Sequence, residues 1–265
     1  MAFRVIVAGV TGWTGSAVAK AIAAADDMVL AGAVARGAAG RDAGELLTGE
    51  ASGVLVRGSV TEALDAGADV LVDYTHPSTV KRHVLEAIEA GVHVIVGTSG
   101  LGADDYAEID ERASAAGIGV FASGNFSITA ALLSRFALMA ARYVPDVEVI
   151  DYASGNKPDA PSGTGRELAE RLSLVRRPGT ALAIDELTGM PATRGATVGA
   201  VQVHSVRMPG FVLSCEALFG AADERLSIRH DAGSSAAPYV AGTLLAVRRV
   251  PTLVGLVRGL DRILE

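Results

Sequence analysis

Short apolar segments alternate with helical segments through the first 125 residues, and this alternation constrains the fold more than any other feature. The strand candidates are apolar throughout and lie at Phe3–Val7, Met28–Val34, Ala68–Tyr74, Val92–Val96 and Ile118–Phe121. Helices are predicted at Gly15–Ala25, Val80–Ala90 and Ala103–Ala116. Alternation of this kind indicates βαβ units, and strands without a polar face indicate a sheet covered on both sides. The sequence therefore predicts an α/β fold with a doubly wound parallel sheet.

The pattern changes after Asn125. A long buried helix is predicted at Ile128–Arg142, with Ser127 as its N-cap. The strands that follow, with little helix between them, are predicted at Val147–Tyr152, Ala181–Glu186, Val198–Met208, Phe211–Phe219 and Arg225–Arg229. Two closing helices are predicted at Ala237–Val247 and Thr252–Leu264. We expect a second α+β domain on a mixed or mostly antiparallel sheet.

Composition excludes several classes of protein. The 265 residues carry a net charge of −7 without a basic stripe, which argues against nucleic acid as a partner. No apolar stretch reaches the eighteen residues of a membrane span, and the N-terminus lacks the pattern of a signal peptide. The single cysteine, Cys215, fits a reducing compartment. We expect a cytoplasmic protein with no membrane partner and no metal site.

Glycines are spaced G-x-x-G-x-x-G between the first strand and the first helix. Gly9, Gly12 and Gly15 permit a tight turn, and they let a pyrophosphate approach the N-terminus of the helix. The spacing is weak evidence by itself, but a strand before it and a helix after it are the context of a dinucleotide site. A glycine-rich turn in another doubly wound protein is the alternative. The loop indicates a Rossmann-type domain that binds a nicotinamide dinucleotide.

The end of the second strand bears on the choice of cofactor. An acidic residue at this point binds the 2′-hydroxyl of NAD, whereas an arginine accommodates the 2′-phosphate of NADP. The strand is followed by Arg36, with Arg41 nearby, and the first carboxylate is Asp42. We therefore expect NADP(H) to be preferred, with NAD(H) possible; the alternative is that Arg36 is a solvated loop residue.

Polar loops follow two later strands of the predicted parallel sheet. Ligands bind beyond the carboxyl ends of parallel strands, so these loops suit a nicotinamide and its ribose. They are Tyr74–Pro77, in which His76 is expected to be an ordinary loop residue, and Gly97–Gly100.

A further motif runs from Asn156 to Gly165 and precedes a helical stretch, Arg166–Leu174. Thr164 with Glu167 three residues later forms a capping-box pattern, which predicts a helix N-terminus able to bind a carboxylate. Lys157 lies just upstream in a chain with only three lysines, and an ammonium can both pair with a carboxylate and donate a proton. A capped helix after a proline-rich turn is the structural alternative.

The run from Lys157 to Thr164, K-P-D-A-P-S-G-T, resembles the K-x-D-A-P-S-G-T signature of the dihydrodipicolinate reductases, also called 4-hydroxy-tetrahydrodipicolinate reductases, of lysine biosynthesis. Other segments match in order, so that the resemblance covers nearly the whole chain: Gly9–Gly15, Gly97–Gly100, Asn125–Ser127, His204–Gly210 and Leu226–His230.

The resemblance implies hydride transfer from a reduced nicotinamide to a cyclic, imine-like dicarboxylate. It also implies a dinucleotide-binding domain at residues 1–125 plus 236–265, a substrate-binding and oligomerisation domain at 126–235, and commonly a homotetramer. It assigns proton donation to Lys157 and the binding of a substrate carboxylate to Gly163 and Thr164. Ser154 and Ser162 are also expected to bind the substrate. The expected cofactor-binding residues are Gly9, Thr11, Gly12, Trp13, Thr14, Gly15, Arg36, Tyr74, Thr75, Gly97, Thr98, Ser99, Ser123, Gly124, Asn125 and Phe126.

The chain departs from the family pattern at two places. The family signature begins E-x-H-H-x-x-K, with the first histidine as general acid, but Ala153 and Ser154 occupy the histidine positions here. The family also usually has S-R in the stretch after His230, with the arginine near the substrate, but this chain has Ser234-Ser235-Ala236 there and no arginine between His230 and Arg248. General acid assistance is typically worth about 10²–10⁴ in rate, so the family reaction would be slow unless another group substitutes. The candidates for that group are Tyr152, Asn156, Lys157 and His204.

Three functions therefore stay open at the level of sequence. The first is the family reaction with an altered acid site. The second is a reductase or amine dehydrogenase that acts on a less charged imine or amine, since an iminium already carries its proton. The third is a protein that binds the cofactor without catalysis.

Overall fold

The computed structural model describes residues 2–178 and 182–264. The chain divides into two compact units, Met1–Ser127 with Ala236–Glu265 and Ile128–Ser235. The sequence placed the two boundaries at 125/126 and 235/236.

Twelve β-strands and eight α-helices lie in the described residues. In chain order they are β1 Phe3–Ala8, α1 Trp13–Ala24, β2 Met28–Val34, α2 Ala43–Leu47, β3 Val56–Arg57, α3 Val60–Leu64, β4 Val70–Asp73, α4 Pro77–Glu89, β5 His93–Val96, α5 Ala103–Ala116, β6 Gly119–Ala122, α6 Ile128–Ala140, β7 Asp146–Ala153, α7 Gly163–Val175, β8 Ala196–Val198, β9 Val201–Arg207, β10 Leu213–Ala221, β11 Glu224–Ala232, α8 Ala237–Arg249 and β12 Gly255–Arg258.

The first unit is built on a seven-stranded parallel sheet in the order β12-β6-β5-β4-β1-β2-β3. Its central strands are buried on both faces, as their unbroken apolar sequences require: Val5, Ile6 and Val7 of β1 have no exposed surface. Helices α1 and α8 pack against each other within this unit. The predicted doubly wound parallel sheet is confirmed.

The C-terminal segment corrects one prediction. Residues 252–264 are not a helix. Gly255–Arg258 instead forms β12, which pairs in parallel with β6 at the edge of the sheet, and short 3₁₀ turns lie at Val250–Thr252 and Leu260–Arg262. Gly255 adopts a φ of +74° and donates its N–H to the carbonyl of Ile118. A long-range pairing therefore overrides the local helical pattern.

The second unit is built on a five-stranded mixed sheet in the order β11-β10-β7-β9-β8, in which only β7 and β9 are parallel. Helices α6 and α7 cover one face, where Val149, Val203, Phe219, Leu133 and Leu172 form the core. The predicted second α+β domain on a mixed sheet is confirmed.

Three local predictions in this unit need correction. Most of the expected strand at Val198–Met208 forms β9, as predicted, but Val198 belongs to the separate strand β8, and the chain turns between them at Gly199, whose φ of +63° suits glycine. Ile184–Glu186, expected as strand, is a 3₁₀ turn, and Ala181 lies outside the described residues. Helix α6 is not buried throughout, because Phe136 and Met139 face outward.

Candidate active site

The glycine loop joins β1 to α1 at the carboxyl edge of the parallel sheet. Gly9 has a φ of +87°, and a Cβ there would lie 2.1 Å from the carbonyl oxygen of Tyr74. A Cβ on Gly15 would lie 2.1 Å from the carbonyl oxygen of Gly9, so both positions exclude side chains. Gly12 is the N-cap of α1 and supplies no side-chain cap, and the first turn has no acidic residue. The N-terminus of α1 is thus open to an anion, as a pyrophosphate requires. Thr11, Trp13 and Thr14 complete this loop.

In the loop after β2, the cationic residue and the first acidic residue differ in whether their side chains are already hydrogen-bonded. Arg36 opens a 3₁₀ turn two residues after the end of the strand, and its exposed side chain has no hydrogen bond or ion pair with any of the described residues. Asp42 is occupied, because its carboxylate caps α2 and accepts the N–H groups of Glu45, Ser52 and Gly53. These hydrogen bonds, with that of Ser52 the largest, lower the pKa of Asp42 to about 2. The first carboxylate after β2, that of Asp42, is therefore already engaged within its own loop.

A buried carboxylate joins the loops that follow β4 and β5. Asp73, the last residue of β4, has no exposed surface. Its Oδ1 accepts the hydroxyls of Thr98 at 2.6 Å and Thr75 at 2.8 Å, and its Oδ2 lies 2.8 Å from Nδ1 of His83. The N–H of Thr75 donates to Thr98 Oγ1 at 2.7 Å. Thr75 and Thr98 were both predicted to contact the cofactor. Their hydrogen bonds to each other and to Asp73 hold the loop after β4 against the loop after β5.

Aromatic side chains pack against the same loops at the carboxyl edge of the parallel sheet. The ring of Tyr74 lies against the backbone of Gly97, where a Cβ would come within 2.1 Å of Tyr74 Cε1. The Tyr74 hydroxyl is 2.7 Å from Thr243 Oγ1 on α8, and burial raises its pKa. Phe126 packs edge-on against Tyr74 and is almost fully buried, so its ring belongs to the packing beneath the predicted cofactor loops.

The chain's one tryptophan lies at the open end of α1. Trp13 is 54% exposed, and its ring meets that of Tyr239 edge-on at 5.7 Å. An exposed indole beside the glycine loop is well placed to report nucleotide binding by fluorescence.

The loop after β6 completes this carboxyl edge. The Ser123 hydroxyl donates to the Asn125 carbonyl at 2.8 Å, and Asn125 Oδ1 accepts the N–H of Ser127. Ser99 and Gly124 lie in the loops after β5 and β6. The predicted cofactor residues of the first unit thus follow β1, β2, β4, β5 and β6 at one edge of the sheet.

In the second unit, a tight turn after β7 carries Lys157. The Lys157 N–H donates to the Ser154 carbonyl at 3.0 Å, and the Ser154 hydroxyl accepts from the N–H of Asn156 at 3.5 Å. Lys157 Nζ forms an ion pair with Asp159 Oδ1 at 2.7 Å, and both side chains are partly exposed. Ala153 at the end of β7 is fully buried. The turn therefore presents one ammonium, already paired with a carboxylate.

Helix α7 begins at Gly163, and its N-cap is Ser162. The predicted capping box centred on Thr164 is wrong, because Ser162 Oγ accepts the N–H of Gly165 at 3.3 Å while Thr164 lies in the first turn. The N-cap of α7 therefore lies two residues earlier than the T-x-x-E pattern indicates, at Ser162 instead of Thr164. Gly163 N–H donates to none of the described residues, and Thr164 is buried. The N-terminus of a thirteen-residue helix is a favourable place for a carboxylate.

Two of the candidate acids lie on the other face of the mixed sheet. The Tyr152 hydroxyl donates to Glu216, and the Arg229 guanidinium stacks on the Tyr152 ring at 4.7 Å. His204 Nε2 pairs with Glu148 at 2.8 Å. Since side chains alternate along a strand, these groups face away from Asp151 and Ala153. Of the four candidates, only Asn156 and Lys157 share the turn after β7.

Sequence reasoning missed the residues that hold the site residues in place. Asp73 and His83 in the first unit, and Asp151, Asp159 and Arg207 in the second, form hydrogen bonds to predicted site residues or to their immediate neighbours. A usable signal existed for Asp73 and Asp151, since a carboxylate within or at the end of an apolar strand must have partners when buried. Among the described residues, no group of three or more His, Cys, Asp or Glu is arranged to hold a metal ion. None of the described helices is both long and apolar enough to span a membrane.

Comparisons with known proteins agree across the chain. Residues 3–126 match the family model "Dihydrodipicolinate reductase, N-terminus", and residues 129–264 match "Dihydrodipicolinate reductase, C-terminus". A 4-hydroxy-tetrahydrodipicolinate reductase of Desulfitobacterium hafniense (strain DSM 10664 / DCB-2) is 39% identical over 99% of this chain and 98% of its own. The enzyme of the same name from Synechococcus elongatus is 40% identical, covering 98% of each chain.

Solved structures show the same relationship. The dipicolinate-bound dihydrodipicolinate reductase from Paenisporosarcina sp. TG-14 superposes with a TM-score of 0.79 at 29% identity over 100% of both chains. An amine dehydrogenase from Mycobacterium smegmatis has a TM-score of 0.67 over 98% of this chain and 95% of its own, and at 17% identity it shows a shared fold alone. With both halves matched by the family models and relatives near 40% identity over the full length, the chain belongs to the dihydrodipicolinate reductase family.

Proposed function

We propose that this protein is an NADPH-dependent reductase of a C=N bond in a small cyclic substrate that carries a carboxylate, of the kind named for its relatives, 4-hydroxy-tetrahydrodipicolinate. The observation that carries the proposal is the segment Lys157–Thr164, which holds an ammonium and the N-terminus of α7 in one ordered loop. The full-length similarity to reductases of that name supports it.

The first unit fits a nicotinamide dinucleotide. The uncapped N-terminus of α1 and the close approaches at Gly9 and Gly15 suit a pyrophosphate. Arg36 is exposed and unpartnered among the described residues, whereas the nearby carboxylate of Asp42 is engaged by its own loop. This difference favours a 2′-phosphate over a bare ribose, so we infer a preference for NADPH over NADH.

The residues of the second unit have separate roles in this proposal. When bound, the reduced nicotinamide supplies a hydride. The first turn of α7, with Gly163 N–H and Thr164, binds a substrate carboxylate, and the Ser154 turn borders it. Lys157 Nζ gives a proton to the substrate nitrogen as the carbon is reduced, and the partly exposed Lys157–Asp159 pair lets solvent restore that proton.

A second candidate substrate class is favoured by one observation. Ala153 and Ser154 supply neither a cation nor an acid where the resembled signature has two histidines, and the side chain of Ala153 is fully buried. Lys157 is then the one cationic side chain in the turn after β7. Loss of the histidines would reduce turnover least for a substrate with one carboxylate, or for an iminium that already carries its proton.

We also infer a homo-oligomer, with the tetramer as the expected form, in the cytoplasm. Two features of the chain support this inference. The face of the mixed sheet opposite α6 and α7 bears charged and aromatic side chains, including Tyr152 and Arg229. Cys215 is buried as a free thiol, which fits a reducing compartment.

A substrate panel tests the proposal. NADPH oxidation is measured with 4-hydroxy-tetrahydrodipicolinate, with cyclic imines that carry one or no carboxylate, and with ketone and amine mixtures. Efficient turnover of the dicarboxylate would support the family reaction and reject the changed substrate. Turnover of a monocarboxylate or neutral imine alone would do the opposite. Tight binding of NADPH, followed through Trp13 fluorescence, with no turnover of any substrate would refute both and favour a protein that only binds the cofactor.

A further inference from the structure

A single buried carboxylate contacts several parts of the proposed substrate loop. Asp151 lies on β7, two residues before its end, and has no exposed surface. Its Oδ2 accepts the Ser162 N–H at 2.9 Å, Arg207 Nη2 at 2.7 Å and the Ser205 hydroxyl at 3.2 Å, while its Oδ1 accepts the Ser162 hydroxyl. Two residues of strand β9 and the N-cap of α7 thus meet at one carboxylate.

The charge of Asp151 sets the direction of the hydrogen bonds at the N-terminus of α7. An ionised carboxylate can only accept, so the Ser162 hydroxyl must donate to it. The hydroxyl oxygen then keeps its lone pairs for the Gly165 N–H, which it accepts at 3.3 Å. The helix also packs directly on the carboxylate, because a Cβ at Gly165 would lie 3.1 Å from Asp151 Cβ. The first turn of α7 is therefore placed by Asp151 through both contact and polarity.

Arg207 links the carboxylate of Asp151 to the residues around Lys157. Its Nη2 donates to Asp151 Oδ2 and also to the carbonyl of Asp159 at 2.8 Å. The side chain of Asp159 in turn binds Lys157 Nζ at 2.7 Å. The other nitrogens of the guanidinium also face the protein: Nη1 donates to the carbonyls of Asp151 and Val206, and Nε is buried without a hydrogen-bond partner among the described residues. An arginine in these contacts holds the loop in place and is not available to bind a substrate carboxylate.

We propose that Asp151 and Arg207 are positioning residues: the ion pair between the buried carboxylate of Asp151 and the partly buried guanidinium of Arg207 fixes the loop from Lys157 to Gly165, so that the ammonium and the helix N-terminus are presented together. The proposal rests on the proposed function for the role of that loop in the reaction. It assigns no contact with substrate to either residue. In this proposal the positions of the Lys157 ammonium and of the N-terminus of α7 both depend on the Asp151 carboxylate.

Three variants separate positioning from other effects. Asp151→Asn keeps the size but removes the charge, and Asp151→Glu keeps the charge. Arg207→Lys keeps a cation near Asp151 but removes the fork that reaches Asp159. Glu148→Gln is the matched control, since it lies three residues earlier on the same strand, is paired with His204 and Arg194, and faces the other side of the sheet.

The first measurement is amide hydrogen exchange of residues 157–168 in the purified full-length protein. We expect faster exchange in Asp151→Asn across this loop and the first turn of α7, faster exchange at 157–161 in Arg207→Lys, and no change in Glu148→Gln. Unchanged exchange in a folded Asp151→Asn would overturn the proposal. If Asp151→Asn does not fold, Arg207→Lys decides by the same measurement.

The second measurement is steady-state turnover with the best substrate of the panel, together with NADPH and dipicolinate affinities. We expect kcat/KM to fall on the order of 10²-fold in Asp151→Asn, the cost of a misplaced catalytic loop. Dipicolinate binding should weaken in parallel, NADPH affinity should stay unchanged, and Asp151→Glu should recover most of the loss. A loss of NADPH affinity equal to the loss of turnover would indicate general destabilisation and reject positioning. If the wild type turns over no substrate but Asp151→Asn still loosens the loop, the proposed function fails while the structural role stands.

Discussion

Replacement of Lys157 by alanine should separate activity from stability. The Lys157–Asp159 pair has an Nζ to Oδ1 distance of 2.7 Å, but the two side chains are 31% and 39% exposed. Ion pairs this accessible typically contribute about 0.2–1 kcal/mol to folding, so the free energy of unfolding should change by no more than this. Loss of a proton donor should lower kcat by about 10²–10⁴. That range corresponds to roughly 3–5 kcal/mol in the activation barrier.

Lys81 provides a matched control on α4. Its Nζ pairs with Asp105 and Glu108, each at 2.8 Å, and its side chain is 39% exposed. Lys81→Ala should therefore cost as much stability as Lys157→Ala, or more, and leave kcat unchanged. The assay is NADPH oxidation with the best substrate of the panel, beside urea unfolding and NADPH binding for both variants. A kcat in Lys157→Ala within about tenfold of wild type would remove Lys157 as the proton donor.

Three further outcomes follow from the first unit. Arg36→Glu should lower kcat/KM for NADPH and raise it for NADH, because a carboxylate repels the 2′-phosphate and accepts from a 2′-hydroxyl; equal ratios before and after would show that Arg36 does not face the ribose. Gly97→Ala should lower stability by about 1–3 kcal/mol in urea unfolding, since the new methyl would overlap the Tyr74 ring, whereas Gly37→Ala, with nothing within 4 Å, should be neutral. Asp42→Asn should lower Tm at neutral pH. Because the folded-state pKa of Asp42 is depressed to about 2, the difference should shrink as pH falls from about 4 toward 2, and a difference as large at pH 2 as at neutral pH would contradict the assigned hydrogen bonds.

Local sequence predicted much of the first unit because its signals are short-range. The strands of a parallel sheet are buried on both faces, so their apolar runs are visible without knowing their neighbours. The turn at Gly9–Gly15 is likewise visible, because the glycines there are required by contacts within the turn and with the end of β4. The Lys157–Thr164 motif could be identified for the same reason, since its parts lie within eight residues.

The tertiary structure decided the features that depend on distant partners. Gly255–Arg258 is as compatible with a helix as with a strand until β6, more than 130 residues earlier, supplies its hydrogen bonds. The capping-box pattern also gave the wrong N-cap for α7, because the choice of Ser162 depends on a carboxylate eleven residues away on β7.

The sequence by itself thus determined the class of fold, the glycine loop and the segment that carries Lys157. Only the tertiary structure showed that Asp73 joins the two loops predicted to bind the cofactor, and that Arg207 links Asp151 to Asp159 in the segment containing Lys157. The physical reason is burial. A buried carboxylate must find donors wherever the fold brings them, and those donors come from other strands and loops, which leave no periodic pattern in the neighbouring sequence.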